Sequence, residues 1–326
     1  MKAIVVNAFG GPEQLRFEDV PDPRPGPGEV LVRVHAVSVN TTLDVHLVAG
    51  ASGMDPKLPF TPGVDPSGVV EAVGEGVTSF EVGDRVAGTT TLATFGGYAE
   101  LVVLRESRIS LVPDEVDFPT ATVVRRHFGM AHSQVETAGV QAGESVLVMG
   151  AAGALSTCII QLAKEAGAKV LAGAGSDERV AAALSMDADH GINYRENDLV
   201  EEVLAATEGR GVDVVFENVG DARLWPKAIE SMAVGGRLLT IGTHAGDGIL
   251  PVDVRRLYRN RLKIIGGLGS SAQADDFADT ALRGVAEGRY RVLIDRILPL
   301  SHAADAFRLI AANEVTGKVI LDPMAG

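Results

Sequence analysis

A single cysteine, Cys158, stands in a chain of 326 residues. One thiol cannot close an internal disulfide, so the expected compartment is the reducing cytosol. Cations are scarce too: 29 Lys and Arg against 43 Asp and Glu leave a net charge of −14. That balance argues against nucleic acid or an anionic membrane as the main partner. Long apolar runs are missing as well. The first, Ala3–Val6, is too short for a signal peptide, and none reaches the roughly 18 residues of a membrane-spanning helix. No repeat or low-complexity tract interrupts the chain, and its length suits two domains with proper cores.

What is present begins with Gly143-Glu-Ser-Val-Leu-Val-Met-Gly-Ala-Ala-Gly153-Ala-Leu-Ser-Thr-Cys-Ile-Ile-Gln-Leu-Ala-Lys164. It reads as a buried strand (145–149), a turn of small residues, and a helix from about Leu155. Such a junction gathers free backbone N–H groups and the positive end of a helix dipole, which suits a pyrophosphate. A full G-x-G-x-x-G would need glycine at 151, 153 and 156, where the chain has Ala151, Gly153 and Ser156. On its own the turn is equally compatible with a plain strand-to-helix junction. The alternation that follows decides for the pyrophosphate. Strands are expected at 169–173, 191–194, 212–217, 236–241 and 261–266, with helices at 178–185, 199–206 and 223–232 between them. Runs of β-branched residues without polar alternation mean strands covered on both faces, hence a doubly wound parallel sheet of the dinucleotide-binding kind.

Residues 1 to about 120 differ. Strands at 2–6, 29–35 and 68–73 are separated by turns dense in Pro and Gly, and the alternating Pro21, Pro23, Pro25 and Pro27 enforce extended loop. This half is expected to be mostly antiparallel β. After residue 266, helices at 274–287 and 302–312 and strands at 296–298 and 317–321 are expected to return to it. The fold class is therefore α/β, with domains at 1–122, 123–266 and again 267–326, and chemistry expected in the cleft between them.

An ordered series of motifs carries a resemblance over nearly the whole chain: Pro25-Gly-Pro-Gly-Glu-Val-Leu-Val-Arg-Val, Pro62-Gly-Val-Asp-Pro-Ser-Gly-Val-Val-Glu-Ala-Val-Gly-Glu-Gly-Val, Phe80-Glu-Val-Gly-Asp-Arg-Val-Ala-Gly, Gly97-Tyr-Ala-Glu and Ala138-Gly-Val-Gln-Ala-Gly-Glu. It resembles the medium-chain dehydrogenase/reductase superfamily. The resemblance implies a β-rich GroES-like catalytic domain joined to a Rossmann domain. Zinc-dependent relatives carry a Cys where Thr41 stands here and Gly-His-Glu where Gly63-Val64-Asp65 stands. Thr and Val supply neither thiolate nor imidazole, and one cysteine cannot build a four-cysteine zinc lobe. Asp44 and His46 then read as a polar pair near the cleft mouth, and no metal is expected. The chain is similar to the zinc-free, quinone oxidoreductase-like branch. Without a Lewis acid to lower an alcohol's pKa, reduction of an electron-poor double bond or quinone is the favoured direction.

The resemblance also nominates site residues. Ala152, Gly153, Ala154 and Leu155 would cradle the pyrophosphate. An NAD enzyme places an acid about 20 residues beyond that turn; here Ala172-Gly-Ala-Gly-Ser-Asp-Glu-Arg179 has none at the expected place. Ser176, Arg179 and Tyr194 would hold a 2′-phosphate, which makes NADPH the expected cofactor. Asp177 and Glu178 capping the next helix, with Arg179 solvated, is a reading compatible with this one. Asn218, Val219, Gly242 and Thr243 would line the nicotinamide ribose, and Leu268, Gly269 and Ser270 the carboxamide. Asn40 corresponds to an Asn near hydride transfer in the zinc-free branch, or serves as a turn-forming residue. Asn40, Asp44 and His127 form the catalytic nomination.

Two features depart from the pattern. Ala154 and Ser156 crowd a turn where relatives have glycine, and Ser156 either bonds a phosphate or pushes the helix off the sheet. Arg125, Arg126 and His127 form a basic knot at the expected hinge, read either as anion recognition with His127 as proton donor or as a hinge salt bridge. Three functions stay open: a reductase of quinones or α,β-unsaturated carbonyls, an acyl-thioester enoyl reductase, and a non-catalytic NADPH-binding protein. The expected partners are a small electrophilic substrate and a second copy of the chain. The apolar edge strand at 261–266 would make the homodimer contact.

Overall fold

The computed structural model describes residues 1–325 except 42, 55, 92–93, 243–244, 246–247 and 268–270, with 271–276 described by backbone alone. The chain divides into two compact units, Met1–Arg126 with Asp275–Gly326, and His127–Ala274. These borders fall at 126/127 and 274/275, a few residues beyond the 122/123 and 266/267 read from the sequence.

In the first unit, β1 (Lys2–Val6) pairs antiparallel with β2 (Leu15–Asp19). Next come β3 (Glu29–Ser38), α1 (Leu43–Val48), β4 (Pro66–Val73), β5 (Arg85–Gly88), β6 (Leu101–Arg105) and β7 (Ile109–Leu111). Strand β3 is the spine. Its Val30, Val32 and Val34 are fully buried while Arg33 and His35 alternate outward. Burying each such side chain contributes on the order of 1.5–3 kcal/mol. Both β4 and β6 pair with β3 antiparallel, the pairing expected of this half.

The 21-residue helix α2 (Phe118–Ala138) carries the border between the units. No helix was expected here; Arg125, Arg126 and His127, read as a basic knot at the hinge, all lie on it. The charges hid the period: Ala121, Val124, Phe128 and Ala131 recur at helical spacing and are buried.

The second unit is a parallel sheet of β8 (Ser145–Met149), β9 (Lys169–Ala174), β10 (His190–Asn193), β11 (Val212–Phe216), β12 (Met232–Thr240) and β13 (Lys263–Gly266). The helices between them are α3 (Ala154–Glu165), α4 (Asp177–Leu184), α5 (Leu199–Ala206), α6 (Leu224–Glu230) and α7 (Val254–Arg259). Strand order is β10-β9-β8-β11-β12-β13, all parallel. The order reverses between β8 and β11, so their carboxyl ends flank the switch point where such sheets bind ligands. Met232 opens β12 rather than closing a helix, and α7 was not foreseen.

Past the sheet, α8 (Ser271–Ala286), β14 (Ile294–Pro299), α9 (Ala303–Ala311) and β15 (Lys318–Asp322) follow. Strand β15 joins β3 antiparallel, with Ile320 opposite Ser38 and Leu321 opposite Val37. Extended by two residues, this register sets Lys318 across from Asn40. The core of the first unit gathers Val32, Val34, Val37, Leu104, Phe307 and Leu321 in one apolar cluster. The closing segment is thus part of the first unit's core. Among the described residues, no helix is long and apolar enough to cross a membrane.

Candidate functional site

After β8 the chain turns through Gly150, Ala151, Ala152 and Gly153 into α3. Gly150 has φ +61°, and a Cβ there would stand 3.1 Å from Val219 Cγ2. The turns after β8 and β11 are therefore neighbours, and only glycine fits at the first of them. Gly153 is the N-cap of α3 and offers no capping side chain, so the first-turn N–H groups of the helix, Ala154 and Leu155 among them, lack a side-chain acceptor. An uncapped N-terminus beside a turn of small residues fits an anion held by main chain. Ser156 does not crowd this turn. Its hydroxyl is buried and donates back to the Met149 carbonyl at 3.3 Å, which closes the helix onto the strand end.

At the end of β9, Gly173, Ala174 and Gly175 present no carboxylate. The helix cap is Ser176, whose Oγ accepts from the Arg179 N–H at 3.3 Å, rather than Asp177 or Glu178. Asp177 is occupied elsewhere, accepting from Asn193 Nδ2 at 2.8 Å. A Cβ on Gly175 would stand 3.2 Å from Tyr194 Oη and 3.3 Å from Arg195 Nε. Burial raises the Tyr194 phenol above its ordinary value, while Arg195 and Arg179 pull it down. Two guanidinium groups and a phenol are thus neighbours beside a helix N-terminus, with Tyr194 and Arg195 packed closely over Gly175. Arg195 escaped the sequence reading; its signal was adjacency to Tyr194, one residue further along an exposed loop.

The turn after β11 is built by Glu217. Its buried carboxylate accepts from the Val219 and Gly220 N–H groups at 3.1–3.2 Å, and burial raises its pKa. This holds Asn218 so that Oδ1 accepts from the Ile241 N–H at 3.0 Å. Asn218 Nδ2 is buried with no hydrogen-bond partner among the described residues, a donor available to a ligand. Gly242 lies against the same turn, its added Cβ 3.4 Å from the Asn218 carbonyl. Thr243, Leu268, Gly269 and Ser270 lie outside the described residues.

The first unit holds a buried polar cluster that the sequence nominated only in part. The Asn40 N–H donates to Asp44 Oδ2 at 2.8 Å, and the Tyr98 hydroxyl donates to the same oxygen at 2.8 Å. Asn40 Nδ2 and Ser38 Oγ donate to Asp65 Oδ2 at 2.8 and 2.6 Å. Lys318 Nζ donates to Asn40 Oδ1 at 2.6 Å. Arg126 Nη1 stands 3.3 Å from Asp65 Oδ1, and the Thr122 hydroxyl donates to the Asp65 carbonyl. Asp44 is completely buried, which corrects its expected place at a cleft mouth. Burial pushes its carboxyl up to about 6 and the neighbouring Asp65 adds to this, while the Asn40 N–H, Tyr98 and Lys318 oppose it. Burial likewise holds the Tyr98 phenol well above its usual range. Asp65, Tyr98 and Lys318 were missed because each is an ordinary residue in an ordinary strand or turn; only pairing brings them together.

His127 is buried on α2 in the second unit, so the nominated trio is divided between the units. Its neighbour Arg126 pairs inside the first unit with Asp65, which is the salt-bridge reading of the basic knot. A groove of about 440 Å³ lined by His132, Glu136, Gln141 and Glu165 flanks the far end of α3 and contains none of the nominated residues.

Two positions where zinc-dependent relatives carry ligands hold none here. Thr41 is exposed, Val64 is fully buried, and among the described residues no three of His, Cys, Asp or Glu gather closely enough to hold an ion.

A β-rich first unit and a doubly wound sheet whose first turn of small residues opens an uncapped helix are the parts of a nucleotide-dependent dehydrogenase or reductase. Comparison agrees. Residues 26–114 match the alcohol dehydrogenase GroES-like domain, and residues 154–287 the zinc-binding dehydrogenase family. The quinone oxidoreductase of Sus scrofa is 34% identical over 98% of this chain and 97% of its own. A solved NAD-dependent alcohol dehydrogenase is 34% identical with a TM-score of 0.92, covering 99% of each chain. A mycobacterial structure complexed with NADPH is 29% identical with a TM-score of 0.88, covering 99% of this chain and 100% of that one. The chain belongs to the medium-chain dehydrogenase/reductase superfamily and is an oxidoreductase.

Proposed function

We propose that the protein is a metal-free, NADPH-dependent reductase that delivers hydride to a quinone or an α,β-unsaturated carbonyl. The observation that carries the reading is the end of β9, where Tyr194 and Arg195 close over Gly175 and no carboxylate stands to meet a ribose hydroxyl. A 2′-phosphate fits that charge; a bare ribose gains nothing from it. Bound there, NADPH supplies the hydride. The protein's own residues orient it: the Ala152–Leu155 turn through main-chain N–H groups, Ser176, Arg179, Tyr194 and Arg195 at the 2′ end, and Asn218 and Gly242 near the nicotinamide ribose. Thr243 and Leu268–Ser270 belong to the same proposal on the strength of the resemblance alone. Asn40 is assigned as hydrogen-bond donor to the oxygen that gathers charge, with Asp44 supporting it and His127 a candidate proton donor.

The related quinone oxidoreductase and the NADPH-bound mycobacterial structure support this reading; the NAD-dependent relative is the reason to test it. The alternatives lose ground. Arg126 is paired with Asp65, which weakens a phosphate-reading knot for acyl thioesters. Ser156 turned onto Met149 removes the crowding that suggested a non-catalytic binder. Oxidation of NADPH and of NADH with 1,4-benzoquinone, an alkyl enone and crotonyl-CoA decides. The expected result is turnover of the first two acceptors with NADPH preferred. Turnover of crotonyl-CoA alone, or NADPH binding with no turnover, would select an alternative.

A cytoplasmic homodimer, paired through β13 as an isologous sheet extension, completes the proposal. Strand β13 is a sheet edge with Ile264 and Ile265 half-buried, and Ile249, Val254 and Tyr258 nearby in sequence are exposed. An apolar edge is a liability unless covered. Light scattering should give twice the 34.0 kDa chain mass, and Ile264→Lys should yield monomer; a wild-type monomer at micromolar concentration rules the contact out.

A further inference from the structure

Lys318 carries a buried charge with no evident reason in the sequence. It opens β15, and the residue is only 6% exposed. An ammonium removed from water costs several kcal/mol unless polar groups compensate. One of these is Asn40 Oδ1, at 2.6 Å, the residue that the β3–β15 register sets opposite. Lysine has only donors, so the oxygen end of the Asn40 amide must face it. The Asp65 carboxylate accepts from Nδ2 at 2.8 Å, so the nitrogen end is set as firmly from the other side. A flipped amide would turn N–H toward an ammonium and carbonyl toward a carboxylate. Backbone geometry is held too, because the Asn40 N–H donates to Asp44 and the Asn40 carbonyl accepts from the Asp44 N–H at 2.9 Å. Between a cation and an anion, the amide retains one N–H on Nδ2 beyond the bond to Asp65, and the adjacent ammonium makes that N–H a stronger donor.

We propose that Lys318 is a positioning residue of the hydride-acceptor site: by holding Asn40 Oδ1 it commits the Asn40 amide to donate toward the acceptor's oxygen. The proposal rests on the reductase reading above. When hydride forms a C–H bond at the electron-poor carbon, the π pair moves to the acceptor's oxygen, and a donor oriented in advance stabilises that charge without reorganising. Lys318 acts through Asn40 and does not touch substrate in this scheme.

The test uses Lys318→Met, Lys318→Arg, Asn40→Ala and the double variant Lys318→Met/Asn40→Ala in the full-length protein. Lys318→Met should lower kcat about tenfold or more, since a misplaced donor forfeits most of its effect. NADPH affinity, read by fluorescence titration, should hold within roughly twofold because the second unit is untouched, and Lys318→Arg should recover part of kcat. The double variant should be no worse than Asn40→Ala, because the two residues act as one unit. Unchanged kcat in folded Lys318→Met, or losses that multiply in the double variant, overturn the proposal. The Asn40 side-chain amide resonances provide a readout without turnover: hydrogen exchange at Nδ2 should speed up in Lys318→Met, and unchanged exchange refutes the positioning role. If the wild type turns over no acceptor, the reductase reading falls, and this exchange measurement alone decides whether Lys318 holds the amide. Should Lys318→Met fail to fold, Lys318→Ala, which removes the donor and leaves space for water, replaces it in every arm.

Discussion

The two units build polar sites by opposite means. In the sheet of the second unit, backbone does the work: Gly150, Gly153 and Gly175 matter for the side chains they lack, and the N–H groups of α3 are the ligands on offer. In the first unit, side chains do the work: Ser38, Asn40, Asp44, Asp65, Tyr98, Arg126 and Lys318 come together, with Lys318 bonding Asn40 across 278 residues of sequence. A backbone site tolerates exchange of neighbouring side chains as long as the turn keeps its shape. A buried side-chain cluster is unforgiving, because each member left alone is a desolvated polar group. Ser156 in place of glycine leaves the turn open, whereas removing one partner from the Asn40 cluster exposes the rest to the full cost.

The comparison breaks most sharply at Gly63. It has φ +92°, and an added Cβ would stand 2.3 Å from Tyr98 Cδ1 and 2.8 Å from the Tyr98 backbone nitrogen. Gly63→Ala should therefore destabilise the protein by about 3 kcal/mol or more, combining overpacking with left-handed strain. Denaturant unfolding reads this directly. A loss under about 1 kcal/mol would show that the cluster yields more easily than its burial suggests.

Asp44 sharpens the same point through pH. Its folded pKa, raised to about 6, lies above the ordinary 3.8, so the native state binds the extra proton. Asp44 therefore lowers stability progressively as pH rises from about 4 to about 6 and leaves the full penalty in place above that. Asn at this position keeps an oxygen for the Asn40 N–H and the Tyr98 hydroxyl but carries no charge. The stability gain of Asp44→Asn over wild type should grow by up to about 3 kcal/mol between pH 4 and pH 7. A pH-independent difference would mean that the carboxylate is compensated in the fold.

On the backbone side, the proposed 2′-phosphate site depends on charged side chains. Arg179→Ala and Arg195→Ala should each weaken NADPH binding by roughly 1.5–3 kcal/mol, and Tyr194→Phe by roughly 0.5–1.5 kcal/mol, with NADH nearly unchanged. Equal losses for both cofactors would move the phosphate elsewhere. The smallest expected effect is none: chelators should leave activity and stability unaltered, because Thr41 and Val64 stand where a metal would need ligands. Stoichiometric zinc lost together with activity would overturn that.

Periodicity and spacing made the second unit legible in advance. Strand β8, helix α5, the parallel sheet and the missing carboxylate near Ala174 all follow from contiguous residues, because a βα turn is local and its ligands are its own amides. The antiparallel character of the first half and the return of the closing segment were readable too, whereas β2, β5, β6 and β7 were not foreseen. Helix α2 was obscured because Arg125, Arg126 and His127 interrupt an apolar stripe that shows only over five turns. Asn40 and Asp44 could be nominated by the resemblance, but not what surrounds them. That Asp44 is sealed from water, that Tyr98 and Asn40 share its oxygen, and that Lys318 lies across from Asn40 depend on the register of β3 against β15 and on Gly63 admitting the Tyr98 ring. Sequence alone determined the parallel sheet and its strand-to-helix turn of small residues, which arise from neighbours along the chain. Tertiary structure alone decided the buried ionic cluster, because burial and charge pairing are properties of strands brought side by side from opposite ends of the molecule.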